Sequence, residues 1–132
     1  MNLGITQLSP VIGAEINGVD ITKPLDNDAF AAVHQALLDH IILVFRDQPL
    51  DDDALMALGR RFSTLVIHPF IMPNTDRPEI VAIMRDPGDT TIVGEDWHSD
   101  TTHIATPPMG AVLHAIDVPP RGGDTIFASQ YA

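Results

Sequence analysis

The amino-terminal part of the chain consists of short apolar pieces separated by turn-forming residues. Pro10, Gly13 and Gly18 interrupt runs that are rich in β-branched residues. Apolar runs of this length, bounded by glycine and proline, are typical of small strands joined by tight turns. The pattern predicts two strands, at residues 5–8 and at Ala14–Asn17.

The hydrophobic period then changes to that of a helix. Beginning at Phe30, apolar residues recur every three or four positions, and Asp26 precedes them as a plausible N-cap. This spacing predicts a helix over residues 27–39. Residues 41–45 form a compact run that is apolar on both faces, which predicts a buried strand.

The distribution of charged residues predicts the next helix. Acids occupy residues 51–53, where the positive end of the helix dipole favours them, and Arg60 and Arg61 lie at the opposite end. Prolines break the following stretch into an irregular loop. That loop leads to a predicted strand at residues 79–84 and a second loop at residues 86–96.

The carboxy-terminal third has the pattern of β structure. A strand is expected from Trp97 onward, and two more at residues 110–118 and 124–128, separated by proline pairs and by two adjacent glycines. The predicted fold class is therefore mixed α/β and mainly β. With 132 residues and 45% hydrophobic residues, residues 1–132 are expected to form a single domain.

Composition excludes several classes of function. A formal net charge of -11 disfavours nucleic acid and anionic membrane surfaces as partners. The chain has no cysteine, so any metal ion must be held by His, Asp or Glu. The first residues lack a signal-peptide pattern and no apolar stretch approaches about 20 residues, so the expected location is cytoplasmic.

The first candidate for chemistry is the triplet His98-Ser99-Asp100. In a strand residues i and i+2 point to the same face, so the imidazole and the carboxylate converge. Such a pair supplies two thirds of the 2-His-1-carboxylate set that binds Fe(II) and leaves open positions. Taken alone the triplet is also compatible with a histidine that a neighbouring Asp merely caps.

The motifs around this triplet resemble a known family. Residues 97–102 (Trp-His-Ser-Asp-Thr-Thr), Pro107-Pro108 and residues 122–125 (Gly-Gly-Asp-Thr) occur in the order and separation of the taurine dioxygenase (TauD/TfdA-like) family of Fe(II)- and 2-oxoglutarate-dependent dioxygenases. Earlier pieces, such as residues 44–48 (Val-Phe-Arg-Asp-Gln) and 61–62 (Arg-Phe), extend the resemblance over nearly the whole chain.

The resemblance implies a double-stranded β-helix (jelly roll) with flanking helices, only partly covered by these residues. It implies that His98 and Asp100 bind Fe(II), that Thr125 helps to hold the cosubstrate 2-oxoglutarate, and that His68 contacts an anionic substrate. The reaction would use O2 and release succinate and CO2. The family also implies a homo-oligomer, either a dimer or a tetramer.

Members of this family take their third iron ligand, a His, and the Arg that binds 2-oxoglutarate from a later part of the chain. We therefore expect residues 1–132 to be the amino-terminal half of such a domain. One alternative is a truncated, non-catalytic binding or assembly module that keeps the scaffold. Another is a cupin-like metal protein that uses His68, His103 or His114 as its third ligand.

The expected substrate is a small organic anion: taurine or another organosulfonate, a sulfate ester or an aryloxyalkanoate. Two positions depart from the taurine-type pattern, because Ile71 stands where that pattern has a Tyr and Gly94 where it has an Asn. Loss of two polar contacts predicts a broader or more apolar substrate than taurine.

Overall fold

The protein is described by a computed structural model that covers residues 3–69, 71, 76–86, 88–90, 94 and 96–131. In these residues the elements follow in the order β1 (Gly4–Gln7), β2 (Ala14–Asn17), α1 (Asn27–His40), β3 (Leu43–Val44) and α2 (Asp52–Phe62). All of them lie in the amino-terminal half of the chain. The carboxy-terminal half runs without strands or helices over the positions covered.

The three strands form one sheet in the order β1-β2-β3. β1 pairs antiparallel with β2, and β2 pairs parallel with β3. The turn between β1 and β2 is closed by Ser9, whose Oγ accepts a hydrogen bond from the Ile12 N–H at 3.0 Å. Gly13 ends this turn with a φ of 90°, a conformation that is cheap only for glycine. The predicted strands at residues 5–8 and Ala14–Asn17 are thereby confirmed, the first shifted by one residue.

Helix α1 connects the parallel strands β2 and β3, as a crossover connection must. Asp26 caps its first turn by accepting a hydrogen bond from the Ala29 N–H at 2.7 Å, so the predicted cap and helix are confirmed. Ile41 is the C-cap that follows the helix. It has a φ of 68° and donates its N–H to the Leu37 carbonyl at 2.7 Å. A β-branched residue with positive φ is strained, and glycine is the usual residue at this place.

Helix α2 also forms where its charges predict it. Asp51 is the N-cap and accepts a hydrogen bond from the Ala54 N–H at 2.8 Å. Arg77, which follows the first long loop, reaches back to this end of the helix and pairs with Asp53 Oδ1 at 2.7 Å. This ion pair and a second, longer one to Asp52 attach the segment at residues 76–86 to α2.

The hydrophobic core lies between the sheet and the two helices. Its buried members come from β2, the loop after β2, α1 and α2: Ala14, Ile16, Val19, Ile21, Val33, Ala36 and Leu58. Gln48, after β3, holds the loop that follows β2 in place, because its Oε1 accepts a hydrogen bond from the buried Ile21 N–H at 3.0 Å. The run at residues 41–45 contributes only the two-residue, half-buried strand β3, shorter than predicted.

The expectation of a mainly β chain is wrong for the residues that the structure covers. The predicted strands at residues 79–84, 110–118 and 124–128, and the one from Trp97 onward, are not formed. A strand exists only when a neighbour supplies a hydrogen-bond ladder, and no segment here supplies one to these residues. Consistent with this, many of their apolar side chains are exposed, for example Ile116 and Ile126. Neither of the helices found is long and apolar enough to cross a membrane.

Candidate active site

The structure brings His98 and Asp100 together in the segment after Trp97. His98 Nε2 lies 3.2 Å from Asp100 Oδ1, and both side chains are more than half exposed. The two side chains therefore meet although residues 97–100 form no strand. Trp97 does not pack behind this pair, since 69% of its surface is exposed.

The second ring nitrogen of His98 has a defined partner. Nδ1 lies 2.8 Å from the backbone carbonyl oxygen of Asp96. Because a carbonyl oxygen can only accept, Nδ1 donates a proton to it, and Nε2 is the nitrogen that faces Asp100. This is the arrangement that metal-binding histidines commonly show, with the non-ligating nitrogen bonded to a carbonyl.

The pair fits a divalent cation in its chemistry and its spacing. Imidazole nitrogen and carboxylate oxygen are both ligands for Fe(II) and Mn(II). Two donors that each lie about 2.1 Å from one ion, at a right angle, are roughly 3 Å apart. The observed 3.2 Å between Nε2 and Oδ1 matches this value. A nitrogen lone pair and a carboxylate oxygen repel each other at this distance. A positive charge between Nε2 and Oδ1 therefore has to hold them together, either a proton, as in an ordinary ion pair, or a metal ion.

No third ligand joins this pair within the described ranges. A search of those residues finds no group of three or more His, Asp or Glu side chains that could hold a metal ion. The structure therefore does not support His68, His103 or His114 as a third ligand, which was the cupin-like alternative. The part of the chain described here supplies two donors.

His68 lies half-buried in the loop that follows α2. Its Nδ1 accepts a hydrogen bond from the Ile71 N–H at 3.1 Å, which ties the ring to its own loop.

Thr125 is placed beside the amino-terminal sheet. It lines an apolar cleft of about 250 Å³ together with residues of the β1–β2 turn, β3 and its own segment: Leu8, Ser9, Ile12, Gly13, Ile42, Val44 and Phe127. His98 and Asp100 do not line this cleft.

Two features around His98 were not recognised in the sequence as contacts of its ring. Gly94 has a φ of 78°, and a Cβ atom built on it would lie 3.4 Å from His98 Cε1. Asp96 acts through its backbone carbonyl, which no side-chain pattern reveals. In the sequence Gly94 stands out only as a departure from the taurine-type pattern.

Comparison with known proteins decides the family. The family model described as "Taurine catabolism dioxygenase TauD, TfdA family" matches residues 4–132. The chain belongs to the TauD, TfdA family. The resemblance that the motifs at residues 97–102 and 122–125 indicated is confirmed.

Several curated members of the TauD, TfdA family are similar over almost the whole chain. An alkylsulfatase from Acinetobacter baylyi is 30% identical over 96% of this chain and 39% of its own length. The (S)-phenoxypropionate/alpha-ketoglutarate-dioxygenase of Delftia acidovorans is 33% identical over 98% of this chain and 47% of its own length. The alpha-ketoglutarate-dependent sulfate ester dioxygenase of Pseudomonas putida is 29% identical over 100% of this chain and 43% of its own length. The chain thus spans less than half the length of these relatives.

A solved structure of the TauD, TfdA family shares the fold of part of this chain. The crystal structure of a taurine dioxygenase from Burkholderia xenovorans superposes with a TM-score of 0.54 at 32% identity. The match covers 58% of this chain and 28% of that one. The similarity is to a fraction of that fold, and the three-stranded sheet seen here does not by itself amount to a jelly roll.

Proposed function

We propose that this chain is part of an Fe(II)- and 2-oxoglutarate-dependent dioxygenase that hydroxylates a small organic anion and releases succinate and CO2. The observation that carries the proposal is the His98–Asp100 pair, with 3.2 Å between Nε2 and Oδ1 in a member of the TauD, TfdA family. The proposed fold of the whole enzyme is a jelly roll, with the amino-terminal half supplied by residues 1–132.

In this proposal His98 and Asp100 hold Fe(II). Bound Fe(II) supplies the activation of O2 with 2-oxoglutarate as the source of two electrons. The chain's own share is to present one neutral nitrogen and one carboxylate oxygen, which together contribute a single negative charge to the ion. The Asp96 carbonyl keeps the proton on Nδ1, so that Nε2 remains available as a ligand.

Thr125 and His68 are proposed as residues that bind organic anions. The hydroxyl of Thr125 would help to hold the carboxylate of 2-oxoglutarate. In the residues described it lies on the apolar cleft beside β3. His68, which is half-buried in the loop after α2, would contact the anionic group of the substrate.

The proposed substrate class is organosulfonates, sulfate esters and aryloxyalkanoates. Two of the relatives above are named as a sulfate ester dioxygenase and as a phenoxypropionate dioxygenase. Ile71 follows His68 by three residues and makes the surroundings of the anion site more apolar than a hydroxylated side chain would. Larger anions with apolar tails should therefore be preferred over taurine. A homo-oligomer and a cytoplasmic location stay predictions from the sequence.

The test combines metal binding with turnover. In the full chain, His98→Ala should weaken Mn(II) binding by more than tenfold and abolish 2-oxoglutarate-dependent succinate formation, because it removes a ligand. His103→Ala is the matched control, since it removes an imidazole from the same segment and should leave Mn(II) binding unchanged. In the unsubstituted chain, an alkyl sulfate or an aryloxypropionate should stimulate succinate formation more than taurine.

Two results would contradict the proposal at different levels. If the His98→Ala variant and the unsubstituted chain bind Mn(II) with equal affinity, His98 is not a metal ligand. That result would favour a non-catalytic module. A clear preference for taurine would leave the metal site intact and refute the expected preference for larger anions with apolar tails.

A further inference from the structure

An asparagine followed directly by a glycine occurs once in the sequence, at Asn17-Gly18. In the structure Asn17 is the last residue of β2, and both residues are exposed. Gly18 begins the loop after β2 with a φ of 83°. This arrangement has a chemical consequence, because the backbone nitrogen of the residue after an asparagine is a nucleophile close to the side-chain amide carbon. Glycine at that position lacks the Cβ that would crowd the approach.

The place of Asn17 in the sheet leaves it free to react. Asn17 lies in the outermost pair of the β1–β2 ladder, opposite Gly4, the first residue of β1. All four residues of β1 are exposed, so little burial opposes the opening of this end of the ladder. The free energy of local opening approaches zero at the fraying ends of elements. Asn17 can therefore leave the extended conformation and bring its Cγ to the Gly18 nitrogen while the core stays folded.

We propose that Asn17 is a site of spontaneous deamidation, with water as the co-reactant. The Gly18 backbone nitrogen bonds to Asn17 Cγ, the bond between Cγ and Nδ2 breaks, and Nδ2 leaves as ammonia with the proton that the Gly18 nitrogen gives up. Water then opens the cyclic imide. Its addition at Cγ gives aspartate, and its addition at the main-chain carbonyl carbon gives isoaspartate. The net change is loss of ammonia and gain of water, without oxidation or reduction.

The new carboxylate would lie next to an existing ion pair. Asn17 Nδ2 donates a hydrogen bond to Glu15 Oε1 at 3.4 Å, and Glu15 Oε2 lies 3.3 Å from Arg46 Nε. Residues 15 and 17 share one face of β2, so deamidation replaces this donor by a like charge beside Glu15. The two carboxylates then compete for the guanidinium of Arg46. Isoaspartate in addition inserts the Cβ carbon into the main chain at the pair with Gly4.

Asn27 supplies a matched control within the same molecule. It is also exposed, but it is the first residue of α1 and Asp28 follows it in the same helix. Its Oδ1 accepts a hydrogen bond from Arg61 Nη2 at 3.1 Å, which holds the side chain. Folding should therefore slow deamidation at Asn27 far more than at Asn17.

The experiment compares each asparagine with itself in the folded full chain and in guanidinium chloride. After incubation at mildly alkaline pH and digestion, mass spectrometry reports conversion of amide to acid at each residue, and chromatography separates aspartate from isoaspartate. We expect folding to slow deamidation of Asn17 by less than about tenfold and that of Asn27 by more. The comparison removes the intrinsic effect of the following residue, because that effect is present in both conditions. Slowing of Asn17 by more than about tenfold would mean that β2 protects it and would overturn the inference.

Two variants of Asn17 test the consequence of the reaction. Asn17→Gln keeps the amide but places it one methylene further along the side chain, so it should suppress the modification without adding a charge. Asn17→Asp carries the charge of the product and should lower the folding equilibrium constant about threefold relative to Asn17→Gln, because the carboxylate repels Glu15. Equal stability of the two variants would refute the effect on the Glu15–Arg46 pair. The inference does not depend on the proposed function, since none of these readouts involves metal or substrate.

Discussion

Replacement of Arg61 by Ala is expected to destabilise the fold far more than the same change at its neighbour Arg60. Arg61 lies near the end of α2 and reaches the beginning of α1. Its Nη1 donates to the Leu25 carbonyl at 2.6 Å, and its Nη2 donates to Asn27 Oδ1 at 3.1 Å. The guanidinium carbon also lies 4.4 Å from the centre of the Phe30 ring.

The magnitude follows from these three contacts. The partly buried hydrogen bond from a charged donor to the Leu25 carbonyl contributes about 1.5 kcal/mol. The exposed bond to Asn27 and the contact with Phe30 each add about 0.5 kcal/mol, since solvent competes with both. Arg61→Ala should therefore lower the free energy of unfolding by about 2.5 kcal/mol. Arg61→Lys keeps the charge but loses the planar group, and should cost about 1 kcal/mol.

The assay is urea denaturation followed by the circular dichroism of the helices. Arg60→Ala is the control, because Arg60 is exposed and its favourable interaction with the end of the helix dipole contributes only about 0.5 kcal/mol. If Arg60→Ala and Arg61→Ala lower the free energy of unfolding equally, the contacts between Arg61 and the beginning of α1 do not hold the two helices together.

Two further predictions concern the loop after β2. The hydrogen bond that Lys23 Nζ donates to Asp20 Oδ2 at 2.5 Å, together with hydrogen bonds from Thr22, lowers the pKa of Asp20 from 3.8 to about 2. The contribution of Asp20 to stability is therefore complete above pH 3.8 and is lost as the pH falls through about 2. Lys23→Ala should raise this pKa toward 3.8 in an NMR titration of the Asp20 carboxyl, and an unmoved midpoint would show that Lys23 is not the cause. Gln48→Ala should lower the free energy of unfolding by about 1–2 kcal/mol, because it leaves the buried Ile21 N–H without its acceptor. The exposed Gln35→Ala should change it by less than about 0.5 kcal/mol, and similar losses in the two variants would refute the argument.

The elements that could be predicted from the sequence are those whose stabilising interactions are local. The Asp26 cap acts over three residues, and the apolar period of α1 repeats every turn, so Asn27–His40 was predicted to within one residue. The same holds for β2, which a glycine precedes and another follows. The His98–Asp100 pair also lies within three residues of sequence, although no strand forms there.

The strands predicted in the carboxy-terminal third illustrate the limit of this reasoning. Residues 110–118 and 124–128 have the composition of strands, yet they form none in the structure. Strand propensity describes how side chains fit a pleated surface, whereas the strand itself requires hydrogen bonds to a neighbour. The ladder is therefore a property of the partner as much as of the segment.

The sequence by itself determined the helix caps, the small strands of the amino-terminal sheet, the family and the pair of donors at residues 98 and 100. Only the tertiary structure decided which apolar residues of α1 are buried: Ala36 is, whereas Leu38 on the same helix is 61% exposed. It also decided that Gly94 and the Asp96 carbonyl meet the ring of His98. The physical reason is the same in both cases. Burial and ring orientation depend on which backbone approaches a side chain in space, and neither hydrophobic period nor motif spacing contains that information.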